Sequence, residues 1–99
     1  MILLMRKPLF YSQGDERNLF RSLAELNFII EIFGAGSDIN LDCSFSDMIS
    51  ADEFLTIYSI FKRYNADCSQ LSSILDYVSK NEREYISHKD MIWHNDIFH

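Results

Sequence analysis

Residues 39–46 alternate without a break. Ile39, Leu41, Cys43 and Phe45 are apolar, and Asn40, Asp42, Ser44 and Ser46 are polar. Successive side chains of an extended strand point to opposite faces, so the pattern is satisfied by a strand with one face in a core and one in water. The preceding run differs. Phe28, Ile30 and Ile32 alternate with Ile29, Glu31 and Phe33, so it is apolar on both faces apart from Glu31. That predicts a central strand buried on both sides. Between the two runs, "GAGSD" supplies the glycines that a reversal needs. A β-hairpin therefore anchors whatever this chain folds into.

The flanking sequence fills in the layers. Ile2 to Tyr11 is apolar and broken by Pro8, which cannot donate to a sheet ladder, so it predicts an edge strand or a strand beginning near Pro8. After "SQGD", Asp15 is the expected N-cap of a helix over 15–26, with Glu16 in its first turn and Leu19, Phe20, Leu23 and Leu26 at helical spacing. Ser50 and Glu53 form a capping box, and Phe54, Ile57, Tyr58, Phe61 and Tyr64 make one apolar stripe, with Asn65 suited to a left-handed stop. Asp67 and Gln70 open a further predicted helix with Leu71, Ile74, Leu75 and Val78 on its apolar stripe. "NEREYI" and "DMIWHNDIF" predict short helical turns whose Tyr85, Ile86, Met91, Ile92, Trp93, Ile97 and Phe98 pack down on the rest. The order is β-α-β-β-α-α with a short helical tail. The expected class is α+β, a small antiparallel or mixed sheet of about three strands packed against helices. Residues 1–99 read as a single domain, long enough for one core.

Charge narrows the function classes. The net charge is −6, which disfavours direct nucleic-acid binding. Residues 38–53 carry five acidic side chains and no basic one, while the flanking stretches nearly balance. The excess therefore sits in Asp38, Asp42, Asp47, Asp52 and Glu53. Part of it has local work: Asp52 and Glu53 favour a helix N-terminus, and Asp38 suits a turn. Asp42 and Asp47 have no such role. Clustered charge of this kind accelerates encounter with an oppositely charged protein and excludes wrong partners. All five are candidate docking residues for a basic protein.

Catalytic constellations are weak by comparison. Cys43 falls on the apolar side of its strand, and Cys68, just after a predicted cap, has no evident base. His88 and His94 are six positions apart, not the three or four that share a helix face, so with His99 they fit surface residues around a Trp93 anchor better than a metal set. No nucleophile elbow, P-loop or dinucleotide fingerprint occurs, and "GAG" lies between strands rather than before a helix. The expectation is a non-enzymatic protein without cofactor or metal. Two lone cysteines and no apolar run near the ~20 residues of a membrane span suggest a cytoplasmic protein with no membrane partner. In "MILLMRKPLF" the charges follow a short apolar run, which is the reverse of a signal peptide.

Several segments together resemble a known group. "FYSQGDERNLFRSLAEL" followed by a hairpin, then "LTIYSIFKRYNADCSQL" and "DMIWHNDIFH", are similar to small immunity proteins of contact-dependent growth-inhibition and Rhs-type polymorphic toxin systems of bacteria. The carrying features are Gly14, Asp15 and Glu16 at a helix start, Phe61 to Asn65 at a helix end, the Gln70–Leu71 pair, and Trp93 near Ile97 and Phe98. The resemblance implies a cytoplasmic protein that binds the C-terminal domain of one cognate toxin, often a nuclease with a basic cleft, and blocks its active site or substrate channel. None of the matching residues marks an interface, so the five carboxylates stand as docking candidates on charge alone. The competing class is a regulatory or adaptor module, such as a phage-encoded inhibitor.

Overall fold

The computed structural model describes residues 1–98. Strands β1 (Ile2–Met5), β2 (Ile29–Ala35) and β3 (Asp38–Cys43) form one antiparallel sheet in the order β1-β3-β2. Helix α1 (Gln13–Ala24) joins β1 to β2. After β3 come α2 (Ala51–Arg63), a 3₁₀ segment (Cys68–Tyr77), α3 (Lys80–Ser87) and α4 (His94–Phe98). The architecture is α+β.

The alternating run is the middle strand. Ile39, Leu41 and Cys43 are buried on its inner face, and the registers Leu3↔Leu41, Met5↔Ile39, Ile29↔Cys43 and Ile32↔Leu41 extend that face across all three strands. The helices close over it. Leu19 and Leu23 of α1, Phe54, Ile57 and Phe61 of α2, and Leu71 and Ile74 of the 3₁₀ segment are fully buried, with Ile86, Trp93 and Ile97 completing one continuous core. Side chains of this size contribute roughly 1.5–3 kcal/mol each on burial, largely offset by ordering entropy.

The doubly apolar run is not a central strand. β2 lies at the sheet edge, Ile30 is 62% exposed, and Glu31 and Phe33 are also exposed. The cause is a bulge. Ile29 pairs with Cys43 but Glu31 pairs with Asp42, so Ile30 is an extra residue and is turned outward with Glu31. A one-residue insertion moves an apolar side chain from one face to the other. Only Phe28, just before the strand, is buried as expected.

Local chemistry sets the ends of the other elements. β1 ends at Met5, before Pro8, and is the opposite edge. α1 starts earlier than predicted because Ser12, not Asp15, is its N-cap: Ser12 Oγ accepts the Asp15 N–H at 3.2 Å, and the Asp15 carboxylate accepts the Tyr11 N–H at 2.8 Å. The Ser50–Glu53 capping box of α2 is complete, with Glu53 N–H donating to Ser50 Oγ and Ser50 N–H donating to Glu53 Oε1, both at 3.1 Å. At its other end Asn65 has φ +60°, and the Ala66 and Asn65 N–H groups donate to the Phe61 and Lys62 carbonyls. That is the Schellman arrangement, which satisfies carbonyls the helix leaves open. The segment after Asp67 is 3₁₀ rather than α. Asp67 does cap it, accepting the Ser69 N–H, but the Ser72 and Ser73 hydroxyls donate to carbonyls three residues back and support the tighter turn.

Candidate functional site

Antiparallel partners share a face, so the registers also define what the outer side of the sheet presents. β3 contributes Asp38, Asn40 and Asp42; β2 contributes Ile30, Glu31, Phe33 and Ala35; β1 contributes Ile2 and Leu4. Among the described residues no helix covers this side: Ile2, Ile30 and Phe33 are exposed. None of the three strands contains a Lys or Arg. The outer face is therefore an apolar surface crossed by carboxylates.

Two of those carboxylates oppose each other. Glu31 is the cross-strand partner of Asp42. Like charges directly opposite on an antiparallel pair destabilise the sheet by roughly 0.2–1 kcal/mol. The Asp42 carboxylate has one nearby cation, the Met1 ammonium at 4.0 Å, and Glu31 has no ion-pair partner among the described residues. Charge composition does not mark Glu31, because residues 1–37 carry four acidic and four basic side chains. Its signal was a lone charge inside an apolar run.

The five sequence candidates do not form one patch. Asp38 and Asp42 share the outer face, but four residues of strand separate them by about 13 Å. Asp38 is partly committed to structure: its Oδ1 accepts the Lys7 N–H at 2.9 Å. Lys7 stands at φ +47° before Pro8, a strained place for a side chain, and this bond holds it there. Asp47 and Glu53 line a cleft of about 240 Å³ with Asn27, Phe28, Ser44, Phe45, Ser46 and Met48. Within that lining Phe28 and Phe45 stack at 5.1 Å, and Phe45 stacks in turn on Tyr77 at 4.3 Å. Glu53 spends its carboxylate on the capping box, and Asp52 is exposed in the same first turn. Among the described residues the carboxylates of Asp42, Asp47 and Asp52 accept no hydrogen bond, Asp52 being bonded only through its main-chain carbonyl, and Glu31 joins them.

A cleft of about 520 Å³ lies away from these acids, between the end of α2, the start of the 3₁₀ segment and α4. At its edge Tyr58 Oη donates to Asp96 at 2.8 Å, and Lys62 Nζ meets the same carboxylate at 3.0 Å. Those bonds hold Asp96 below the usual carboxylate range, while burial and then Asp96 push the Tyr58 hydroxyl up to about 12. Cys68 borders the cleft, but burial, and next the Asp96 charge, raise its thiol to about 11. Burial likewise raises Cys43 to about 11. Both stay protonated near neutral pH, which suits small apolar packing groups rather than nucleophiles. The C-terminal histidines do not converge. His88 pairs locally with Asp90, His94 packs on Phe98, and His99 lies outside the described residues. Among the described residues no three metal-ligating side chains stand together, and no helix is long and apolar enough to cross a membrane.

No family model, no curated protein and no solved structure matches this chain.

Proposed function

We propose that this chain is an immunity protein: a cytoplasmic binder that neutralises the C-terminal domain of a cognate bacterial toxin by seating an acidic face over its active site or substrate channel. The toxin domain would be a nuclease, whose basic cleft supplies the complementary charge. The observation that carries the proposal is the Glu31–Asp42 pair on the open face of the sheet. Two carboxylates held opposite each other cost the free protein stability and offer one cation from outside a place between them. Exposed Ile2, Ile30 and Phe33 around them supply apolar area of the kind found at the centre of protein interfaces. Asp42 and Asp38 belong to this face. Asp47, with Asp52 and Glu53 beside it, extends the acidity toward the start of α2.

The test is a search of the neighbouring genes for a toxin with a variable C-terminal domain, followed by co-expression with that domain. The chain rescues growth and co-purifies with that domain, and Glu31→Lys with Asp42→Lys abolishes both. Rescue undiminished by the double substitution would remove the face from the account. Failure of the wild-type chain to rescue would favour the adaptor class instead.

A further inference from the structure

Both β1 and β2 are edge strands, but only one edge is sealed. On β1 the Gln70 side chain occupies the outward backbone of Leu4: the Leu4 N–H donates to Oε1 at 2.7 Å, and Nε2 donates to the Leu4 carbonyl at 2.5 Å. Those are the bonds a neighbouring strand would make. β2 has no such cover. Among the described residues β3 is its sheet neighbour, and no side chain or loop backbone bonds to Ile30–Ala35. Edge strands are commonly defended by Lys, Pro or bulges; β2 has a bulge at Ile30 and none of the rest, so Glu31–Ala35 stays regular and open.

The turn decides which groups are free. Gly36 and Ser37 form a two-residue turn with Gly36 at φ +65°, so Ala35 and Asp38 are the closing pair, which is hydrogen-bonded in such hairpins. Bonded and non-bonded pairs then alternate along the ladder. Phe33 exchanges bonds with Asn40, and Ile32 and Gly34 point their N–H and carbonyl groups away from β3. Against an added strand, Glu31 and Phe33 would sit in non-bonded positions, where side chains come closest.

We infer that β2 is the docking strand: a basic extended segment of a partner protein adds to the sheet along Ile32 and Gly34 and places a Lys or Arg opposite Glu31. The inference rests on the proposed binding of a basic protein, and it names how that partner attaches. Charge selects the occupant. An incoming cation would meet Glu31 with Asp42 one strand behind it, and no strand of this chain supplies that cation. A second copy would instead extend one face carrying Glu31, Asp38 and Asp42 by the same three acids, and the Met1 ammonium, 4.0 Å from Asp42, is the only cation paired with any of them among the described residues.

The probe is the end-blocked peptide Lys-Thr-Val-Tyr-Val-Lys-Thr-Lys, written to run antiparallel to β2 with a Lys opposite Glu31, titrated into isotope-labelled chain. The Ile32 and Gly34 amide signals shift and exchange at least about tenfold more slowly, as newly bonded edge amides should. A peptide with Glu at every Lys binds at least tenfold more weakly, a difference expected of a charge pair in a close non-bonded position. Gly34→Pro removes one outward N–H and loses the shifts, whereas Gly34→Ala keeps them, since a Cβ there meets only the Asp38 carbonyl at 3.9 Å. Should the proline variant fail to fold, Glu31→Lys decides by inverting the preference between the two peptides. No change at Ile32 and Gly34 with millimolar basic peptide overturns the inference. So does a dimer of the free chain that Gly34→Pro dissociates, which would give the edge to a second copy. A neighbouring toxin domain that fails to bind would end the proposed function and leave the peptide result standing.

Discussion

Replacing Gln70 tests the sealed edge. Its amide accepts from the Leu4 N–H and donates to the carbonyls of Leu4 and Asp67, the last at 3.0 Å. A net hydrogen bond is worth about 1 kcal/mol, and the Leu4 groups are only part-buried, so water recovers some of the loss in Gln70→Ala. The expected cost is about 2 kcal/mol, which lowers the melting temperature of a chain this size by roughly 8–16 °C. Gln70→Glu separates the roles of the two amide atoms. A carboxylate keeps the acceptor for the Leu4 N–H but faces two carbonyls without a proton, so at neutral pH it is at least as damaging as alanine. The carbonyls raise the folded-state pKa of the introduced carboxyl above its unfolded value near 4.3. Its stability is therefore greatest below that unfolded value and falls as pH rises through the folded one. Urea titrations of the three proteins at pH 4 and pH 7 read both effects. Gln70→Ala within about 0.5 kcal/mol of wild type, inside the ordinary scatter of surface changes, would mean that the Gln70 bonds do not hold the β1 edge. So would a glutamate variant that is relatively more stable at pH 7 than at pH 4.

Three further outcomes are expected. Ser50→Ala removes one half of the α2 capping box and costs about 1 kcal/mol by chemical denaturation. Asp96→Asn breaks the pairing with Lys62 and weakens that with Tyr58; because Lys62 is well exposed, the loss at pH 7 is about 1 kcal/mol. The wild-type contribution is fully present above the ordinary aspartate value and disappears as pH falls through the lowered one, so the acid limb of a stability–pH curve is shallower in the variant. Glu31→Thr relieves the repulsion with Asp42 and stabilises the free protein by about 0.5 kcal/mol, measured by calorimetric melting, while weakening partner binding.

The parts of the fold that obey local rules were legible. The alternating strand that begins at Ile39, the Ser50–Glu53 box and the left-handed Asn65 all depend on residues close in sequence and are found, although the strand ends at Cys43, short of the expected Phe45 and Ser46. Edge against centre is a different kind of property. A run such as Phe28–Phe33 reads as buried because nothing in it reveals that one residue is inserted opposite Asp42. The same limit hid the main role of Gln70. Its bond to the Asp67 carbonyl follows from spacing, but its grip on Leu4 spans 66 positions. The site shows the limit most clearly. Sixteen consecutive residues held five acids, yet folding sends Asp38 and Asp42 to the outer sheet face and Asp47, Asp52 and Glu53 to the start of α2. It also brings in Glu31 from a neighbouring strand, on pairing that composition does not encode.

The open face of the sheet is the proposed seat of a basic toxin domain. Isothermal titration of the purified neighbouring domain with wild-type chain and with the Glu31→Lys, Asp42→Lys double variant tests it most directly. The expected result is nanomolar affinity that falls by about a hundredfold or more, as loss of two interfacial charge pairs requires, with the double variant still folded. Equal affinity of the two proteins would contradict it.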